Sequence, residues 1–173
     1  IYPVHHEFII EPPPLANILE GEFRHGFFSG VATLVLMLFN LVQPQLAIFG
    51  KKDYQQLCVM REMIRQLNLS IEIDEGETVR TFDGLALSSR NRFLKKNERT
   101  EAACLFQVLS KIKLEIETGN KNFEELQNTA RETLISRGWD VDYIALRQGN
   151  TLAPAQINNG ALVVLGAAKL GKT

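Results

Sequence analysis

Leu46-Ala47-Ile48-Phe49-Gly50-Lys51-Lys52-Asp53-Tyr54-Gln55-Gln56-Leu57, read on through Met60, Ile64 and Leu67 to Leu69, Ile71 and Ile73, decides the fold class. Leu46 to Phe49 is a short apolar run closed by Gly50, which predicts a buried strand. Asp53 stands where it can cap a helix, and Tyr54, Leu57, Met60, Ile64 and Leu67 recur behind it at helical spacing. Leu69, Ile71 and Ile73 then alternate with polar neighbours, the period of a second strand. Strand, helix and strand within about 30 residues make a βαβ unit, so the two strands are expected to be parallel, with a right-handed crossover.

Upstream of this unit, Val31, Leu34, Val35, Leu38, Phe39 and Val42 share one helical face, which predicts a helix over 30–41 ended by Pro44. Residues 1–23 read as irregular, punctuated by Pro3 and Pro12-Pro13-Pro14. Downstream, Glu75-Gly76-Glu77 reads as a hinge, and the pattern changes beyond it. Thr78 to Asn91 is loop-rich, and a long helix is predicted from Asn97 to Thr118, stopped by Gly119. A second helix follows Asn122, with Phe123, Leu126, Ala130 and Leu134 on one face and Gly138 at its end. Val141 to Leu146 and Ala161 to Leu165 are strand candidates. An α/β domain over 1–76 and a small α+β domain over 77–173 are therefore expected.

The composition is that of an ordinary folded chain: 173 residues, 45% apolar and 23% charged, with a net charge of −1. That charge exerts no global pull on nucleic acid or anionic lipid, and the basic residues are scattered, so neither partner is expected. No apolar run approaches the roughly 20 residues that span a bilayer, and a cytoplasmic protein is expected. Cys58 and Cys104 each sit in an apolar helical pattern and read as buried, reduced thiols. His5 and His6 are adjacent but have no third ligand at useful spacing, so no metal held by protein ligands alone is expected.

Two segments carry chemistry. Gly50-Lys51-Lys52-Asp53, with Gln56 one turn into the helix, lies where a parallel strand gives way to a helix, the place where open α/β sheets bind ligands. Gly50 admits a ligand to the backbone, Lys52 suits a phosphate, and Gln56 can hydrogen-bond a polar substrate. The spacing is not a Walker motif, and a solvated turn with two surface lysines fits it at least as well. Leu87-Ser88-Ser89-Arg90-Asn91, preceded by Asp83-Gly84, offers two hydroxyls and a guanidinium that can wrap a polyphosphate, or be an ordinary loop.

Taken together with Gly30-Val31-Ala32-Thr33, Leu38-Phe39-Asn40 and Pro44, these segments resemble pantothenate synthetases in order and spacing. Leu19-Glu20-Gly21, Arg24, Gly26 and the closing Ala167-Ala168-Lys169-Leu170-Gly171 extend the likeness over nearly the whole chain. The resemblance implies a partial Rossmann-like parallel sheet of the class I tRNA-synthetase-like nucleotidyltransferase type, followed by a small α+β lid. It implies an ATP- and Mg2+-dependent ligation of pantoate to β-alanine through a pantoyl-adenylate, releasing AMP and pyrophosphate, by a homodimer. By matching position, Gly50, Lys51, Lys52 and Asp53 are expected to line the ATP site, Gln56 to hold pantoate and Val79 to meet adenine through its backbone. Leu87, Ser88, Ser89 and Arg90 are expected to form the phosphate loop, with Lys52, Ser88, Ser89 and Arg90 catalytic.

The chain departs from the family pattern in three places. Arg24-His25-Gly26-Phe27-Phe28 stands where the family reads Arg-Pro-Gly-His-Phe, so Phe27 replaces a histidine. Lys51 stands where an acidic residue is usual. The family's His-x-Gly-His segment is expected ahead of Ile1, so this chain alone is expected to be inactive. The alternatives are a noncatalytic nucleotide-binding fragment acting with a partner chain, and a tRNA-synthetase-like enzyme, which the absence of a basic run disfavours.

Overall fold

The path begins on prolines, whose fixed φ and missing N–H suit the first turn of a helix. In the computed structural model, which describes residues 7–157 and 160–173, a 3-10 turn runs over Pro14–Ala16 and a short helix α1 over Glu20–Phe23. The segment expected to be irregular thus holds two helical pieces, while His5 and His6 lie outside the described residues. Helix α2 spans Phe27–Val42, three residues earlier at its start than the apolar face predicted. It ends at Gln43, whose left-handed backbone (φ 51, ψ 53) lets its N–H donate to Phe39 before Pro44 forbids continuation.

Strand β1, Leu46–Gly50, a 3-10 turn over Lys51–Asp53, helix α3, Tyr54–Gln66, and strand β2, Glu72–Gly76, complete the first of two compact units, residues 1–77. β1 and β2 are parallel, in register from Leu46 opposite Glu72 to Gly50 opposite Gly76, as the βαβ pattern predicts. Phe28, Ala32 and Phe39 of α2 pack with Val59, Met60 and Met63 of α3 over Ala47, Phe49 and Ile73. Met60 has no exposed surface, and burying such a side chain stabilises the fold by about 1.5–3 kcal/mol.

Three expectations are corrected here. β1 is not buried throughout: Ala47 and Phe49 face the core, but Leu46 and Ile48 are 49% and 67% exposed, because a two-stranded sheet with one covered face hides only alternate residues. β2 starts at Glu72 rather than at Leu69, although Leu69 and Ile71 still pack into the core. Glu75 and Gly76 are ladder residues of β2, opposite Phe49 and Gly50, and the division between the two compact units falls one residue later than expected, after Glu77.

The second unit covers residues 78–173. Arg80 and Ala86 bridge in antiparallel fashion, and a 3-10 turn runs over Ser89–Phe93. Helices α4, Lys96–Glu101, and α5, Cys104–Glu117, replace the single long helix expected. They part at Ala102 and Ala103, both buried, where ψ near −20° brings the backbone close to 3-10 geometry. α6, Phe123–Ser136, is capped by the Asn122 side chain, which accepts from the Glu125 N–H.

Strands β3, Trp139–Gln148, and β4, Leu162–Leu170, are longer than their sequence signals because they pair with each other along their length, with a bulge between Val141 and Tyr143. Leu134 of α6, Ile112 of α5 and Trp139, Val141, Ile144 and Leu146 of β3 form the core of this unit. No helix among the described residues is long and apolar enough to cross a membrane.

Candidate functional site

The predicted residues fall into two groups, one in each unit. In the first, Gly50 ends β1 beside Gly76 at the end of β2, and a methyl group added to Gly50 would meet nothing within 4 Å. The backbone there is open to an approaching group. The turn that follows presents Lys51, Lys52 and Asp53 in succession, ahead of α3. Asp53 occupies the N-cap position of α3 but makes no side-chain cap bond; its carboxylate instead lies 3.5 Å from Lys52 Nζ. The predicted capping role is therefore not realised.

The two lysines differ in what holds them. Lys51 Nζ lies 3.5 Å from Glu75 Oε2 and also pairs with Glu77, while the second oxygen of Glu75 accepts from Arg61 of α3. Among the described residues Lys52 meets only its chain neighbour Asp53, and both side chains are well exposed. An exposed pair of that kind is worth at most about 1 kcal/mol. Lys52 is thus the cation of the two that a ligand could take at little cost.

The two glutamines divide in the same way. Gln55 is 5% exposed; its Oε1 accepts from the Glu20 N–H at 3.1 Å, and its Nε2 donates to the Leu15 and Ile18 carbonyls at 2.8 and 2.6 Å. Gln56, half-buried on the next position of α3, has no side-chain hydrogen bond among the described residues. Gln55 is a structural residue that sequence reasoning missed, since its partners lie 35 to 40 residues away and nothing local separates it from Gln56.

In the second unit the phosphate-loop candidates sit on a braced base. The Leu87 N–H donates to the Val79 carbonyl at 2.9 Å, and Thr81 N–H donates to the Leu85 carbonyl at 2.8 Å. Arg99 grips Asp83 with both ends of its guanidinium, at 2.7 and 3.2 Å, and Thr81 donates its hydroxyl to the same carboxylate. Arg99 first and Thr81 second hold the Asp83 carboxyl well below the usual carboxylate range. Arg80 lies 3.8 Å above the Phe106 ring and donates to the Gly84 carbonyl, while partial burial pushes its own pKa down. Gly84 adopts φ +97, and a Cβ there would come within 2.6 Å of Phe106, so the turn needs glycine twice over.

Beyond that base, Ser88 Oγ accepts from the Arg90 N–H at 3.1 Å and so caps the short 3-10 turn. Asn91 donates to the Ala86 carbonyl, tying the turn back. Ser89 and Arg90 are exposed, and no side-chain partner of Arg90 occurs among the described residues. Val79 is 66% exposed, and its N–H donates to no group among the described residues. The bracing residues Thr81, Arg99 and Phe106 carry no motif of their own and were not foreseen.

No group of three or more His, Cys, Asp or Glu among the described residues could hold a metal ion. Shallow concavities lie elsewhere, one along the polar face of α6 from Asn122 to Glu132 and one at the amino ends of β1 and β2 around Leu46 and Ile71. Neither contains a predicted site residue. Cys58 and Cys104 are buried and not joined in a disulfide, and burial pushes both thiols up.

The family model described as "Pantoate-beta-alanine ligase" matches residues 1–173. The chain is 61% identical over 173 residues to a pantothenate synthetase from Nitrosospira multiformis and 53% identical to one from Nitrosomonas europaea, covering all of this chain and 62% of each relative. A solved pantothenate synthetase from Thermus thermophilus superposes with a TM-score of 0.86 at 38% identity, over 96% of this chain and 61% of that one. A pantoate-beta-alanine ligase from Francisella tularensis, solved in complex with beta-gamma ATP and beta-alanine, superposes with a TM-score of 0.66 at 32% identity, over 99% of this chain and 57% of that one.

Proposed function

Because the chain belongs to the pantoate-beta-alanine ligase family, we propose that the protein takes part in the ATP-dependent condensation of pantoate with β-alanine to pantothenate. One observation carries the assignment of roles. Of two adjacent lysines after β1 and two adjacent glutamines in the first turn of α3, one of each is held by groups distant along the chain, and Lys52, paired only with exposed Asp53 among the described residues, and Gln56 are left for ligands. Lys52 takes a phosphate oxygen of ATP, and Gln56 hydrogen-bonds pantoate.

The reaction proceeds through a pantoyl-adenylate. A pantoate carboxylate oxygen attacks the α-phosphorus, the bond to the bridging oxygen breaks, and pyrophosphate leaves with the electron pair. The β-alanine amine then attacks the acyl carbon and expels AMP, losing a proton as the amide forms. The first step brings anion against anion, so cations already in place lower its barrier most. Lys52 supplies one such charge and Arg90 another, with Ser88 and Ser89 donating to phosphate oxygens and Val79 offering its N–H to adenine. The described residues do not form a metal cage, so no residue is assigned to Mg2+, which is proposed to arrive on the triphosphate. A cytoplasmic homodimer is proposed on the family likeness.

The test is Lys52→Ala in the natural full-length protein, assayed for AMP release with pantoate, β-alanine and MgATP. A loss of about 100-fold or more in kcat is expected for removing a charge that acts in the transition state. Unchanged turnover would remove Lys52 from the mechanism. ATP binding without turnover by the unsubstituted full-length protein would favour the noncatalytic reading instead.

A further inference from the structure

The charges around Glu75 reach beyond the roles just given. Glu75 stands near the carboxyl end of β2, opposite Phe49, with its side chain 34% exposed. One of its carboxylate oxygens accepts from Arg61 on α3, and the other lies 3.5 Å from Lys51 Nζ on the turn after β1. Lys51 is shared with Glu77, two residues further along. Four alternating charges therefore join three elements, α3, β2 and the Gly50 turn, within one unit.

A lysine beside a phosphate site has two possible employments. It can reach the anion itself, or it can hold the scaffold that presents its neighbour. Here Lys51 already faces two carboxylates, and giving it to a phosphate would leave Glu77 and the second oxygen of Glu75 without that cation. Partly desolvated pairs of this kind fix geometry more than they add net stability. The turn they fix is the one that carries Lys52, and it has no other brace from its own capping residue, since Asp53 makes no cap bond.

We propose that Lys51 and Glu75 are positioning residues: Glu75, anchored by Arg61, clamps Lys51 so that the Gly50 turn is set and Lys52 alone is presented to the nucleotide. Lys51 does not touch phosphate. This rests on the reading of Lys52 as an ATP ligand, and it reverses the expectation that both lysines line the ATP site.

The two employments predict opposite signs for one conservative change. In the natural full-length protein, Glu75→Gln keeps the shape of the side chain and removes its charge. If Glu75 positions the turn, the KM for ATP rises about three- to tenfold with the pantoate KM held, as for loss of one charge-assisted contact. If Lys51 is a phosphate ligand restrained by Glu75, the same change frees it and the KM for ATP falls. Lys51→Ala should match Glu75→Gln in size, and the double variant should be no worse than either single one. Lys51→Arg, which still spans two carboxylates, should restore most of the loss. A lowered KM in Glu75→Gln, or additive losses in the double variant, would overturn the proposal. Equilibrium ATP binding by the unsubstituted protein is measured alongside; its absence would sink the Lys52 reading rather than the clamp. Should Glu75→Gln unfold, Lys51→Ala in a Lys52→Ala background still decides: a clamp that acts through Lys52 adds no further rise in the KM for ATP there, whereas a separate phosphate ligand adds its own, which would overturn the proposal.

Discussion

At the scale of single residues, the adjacent glutamines of α3 make opposite predictions from the same chemistry. Gln55→Ala removes three hydrogen bonds and strands the Glu20 N–H and the Leu15 carbonyl, while the Ile18 carbonyl keeps the Gly21 N–H, beside Leu19, which is buried at a strained φ of 52. A stability loss of about 2–4 kcal/mol is expected in urea unfolding. Gln56→Ala should leave stability unchanged and raise the pantoate KM about tenfold, an amount typical of one lost polar contact to a substrate. Asp83 gives a pH dependence. Its carboxyl is held down by Arg99 and Thr81 in the folded protein, so its contribution to stability is present above the unfolded pKa and is lost as pH falls towards the folded one. The difference in urea midpoint between the natural protein and Asp83→Asn should therefore be constant near neutral pH and shrink below about pH 4.

Among elements, two glycines show how closely neighbours approach. In α1, a Cβ on Gly21 would lie 1.8 Å from the Ala16 carbonyl oxygen, so no relaxation short of unwinding the segment admits one. Gly166 in the middle of β4 would place a Cβ 2.9 Å from Ile144 and 3.2 Å from Leu109 of α5. Gly166→Ala should cost about 1–3 kcal/mol through overpacking, read by the fluorescence of Trp139, the one tryptophan of the sequence, which lies in the same core. Neither glycine carries a turn signal in the sequence; only the approach of a second element makes it necessary. The same holds at Ala102 and Ala103, where helical periodicity runs on unbroken but the backbone tightens. There Glu101 is drawn to Arg137 at 2.6 Å and accepts from the Trp139 indole at 3.1 Å.

For the whole molecule, each unit owns a separate core, and the loop candidates in the second rest on a base braced by Arg99, Asp83 and Phe106. Amide exchange across the chain should accordingly show MgATP protecting Ser88 to Arg92, while the hairpin from Thr81 to Leu85 and the strands β3 and β4 change little. Protection spread evenly over the unit would mean global stabilisation rather than a loop that takes phosphate. The sequence by itself determined the βαβ unit, the order of helices and strands, the end of α2 and both candidate segments, because periodicity, caps and proline act within a few residues. It also carried the family likeness on the blocks at Gly50 and Leu87. The tertiary structure alone decided which lysine and which glutamine are held, where one helix becomes two, and that β1 hides only one face. Those outcomes depend on partners distant along the chain: Glu75 for Lys51, Leu15 and Ile18 for Gln55, Arg137 for Glu101. Local pattern records what a residue can do, and only the fold brings up the group that takes its hydrogen bond or charge.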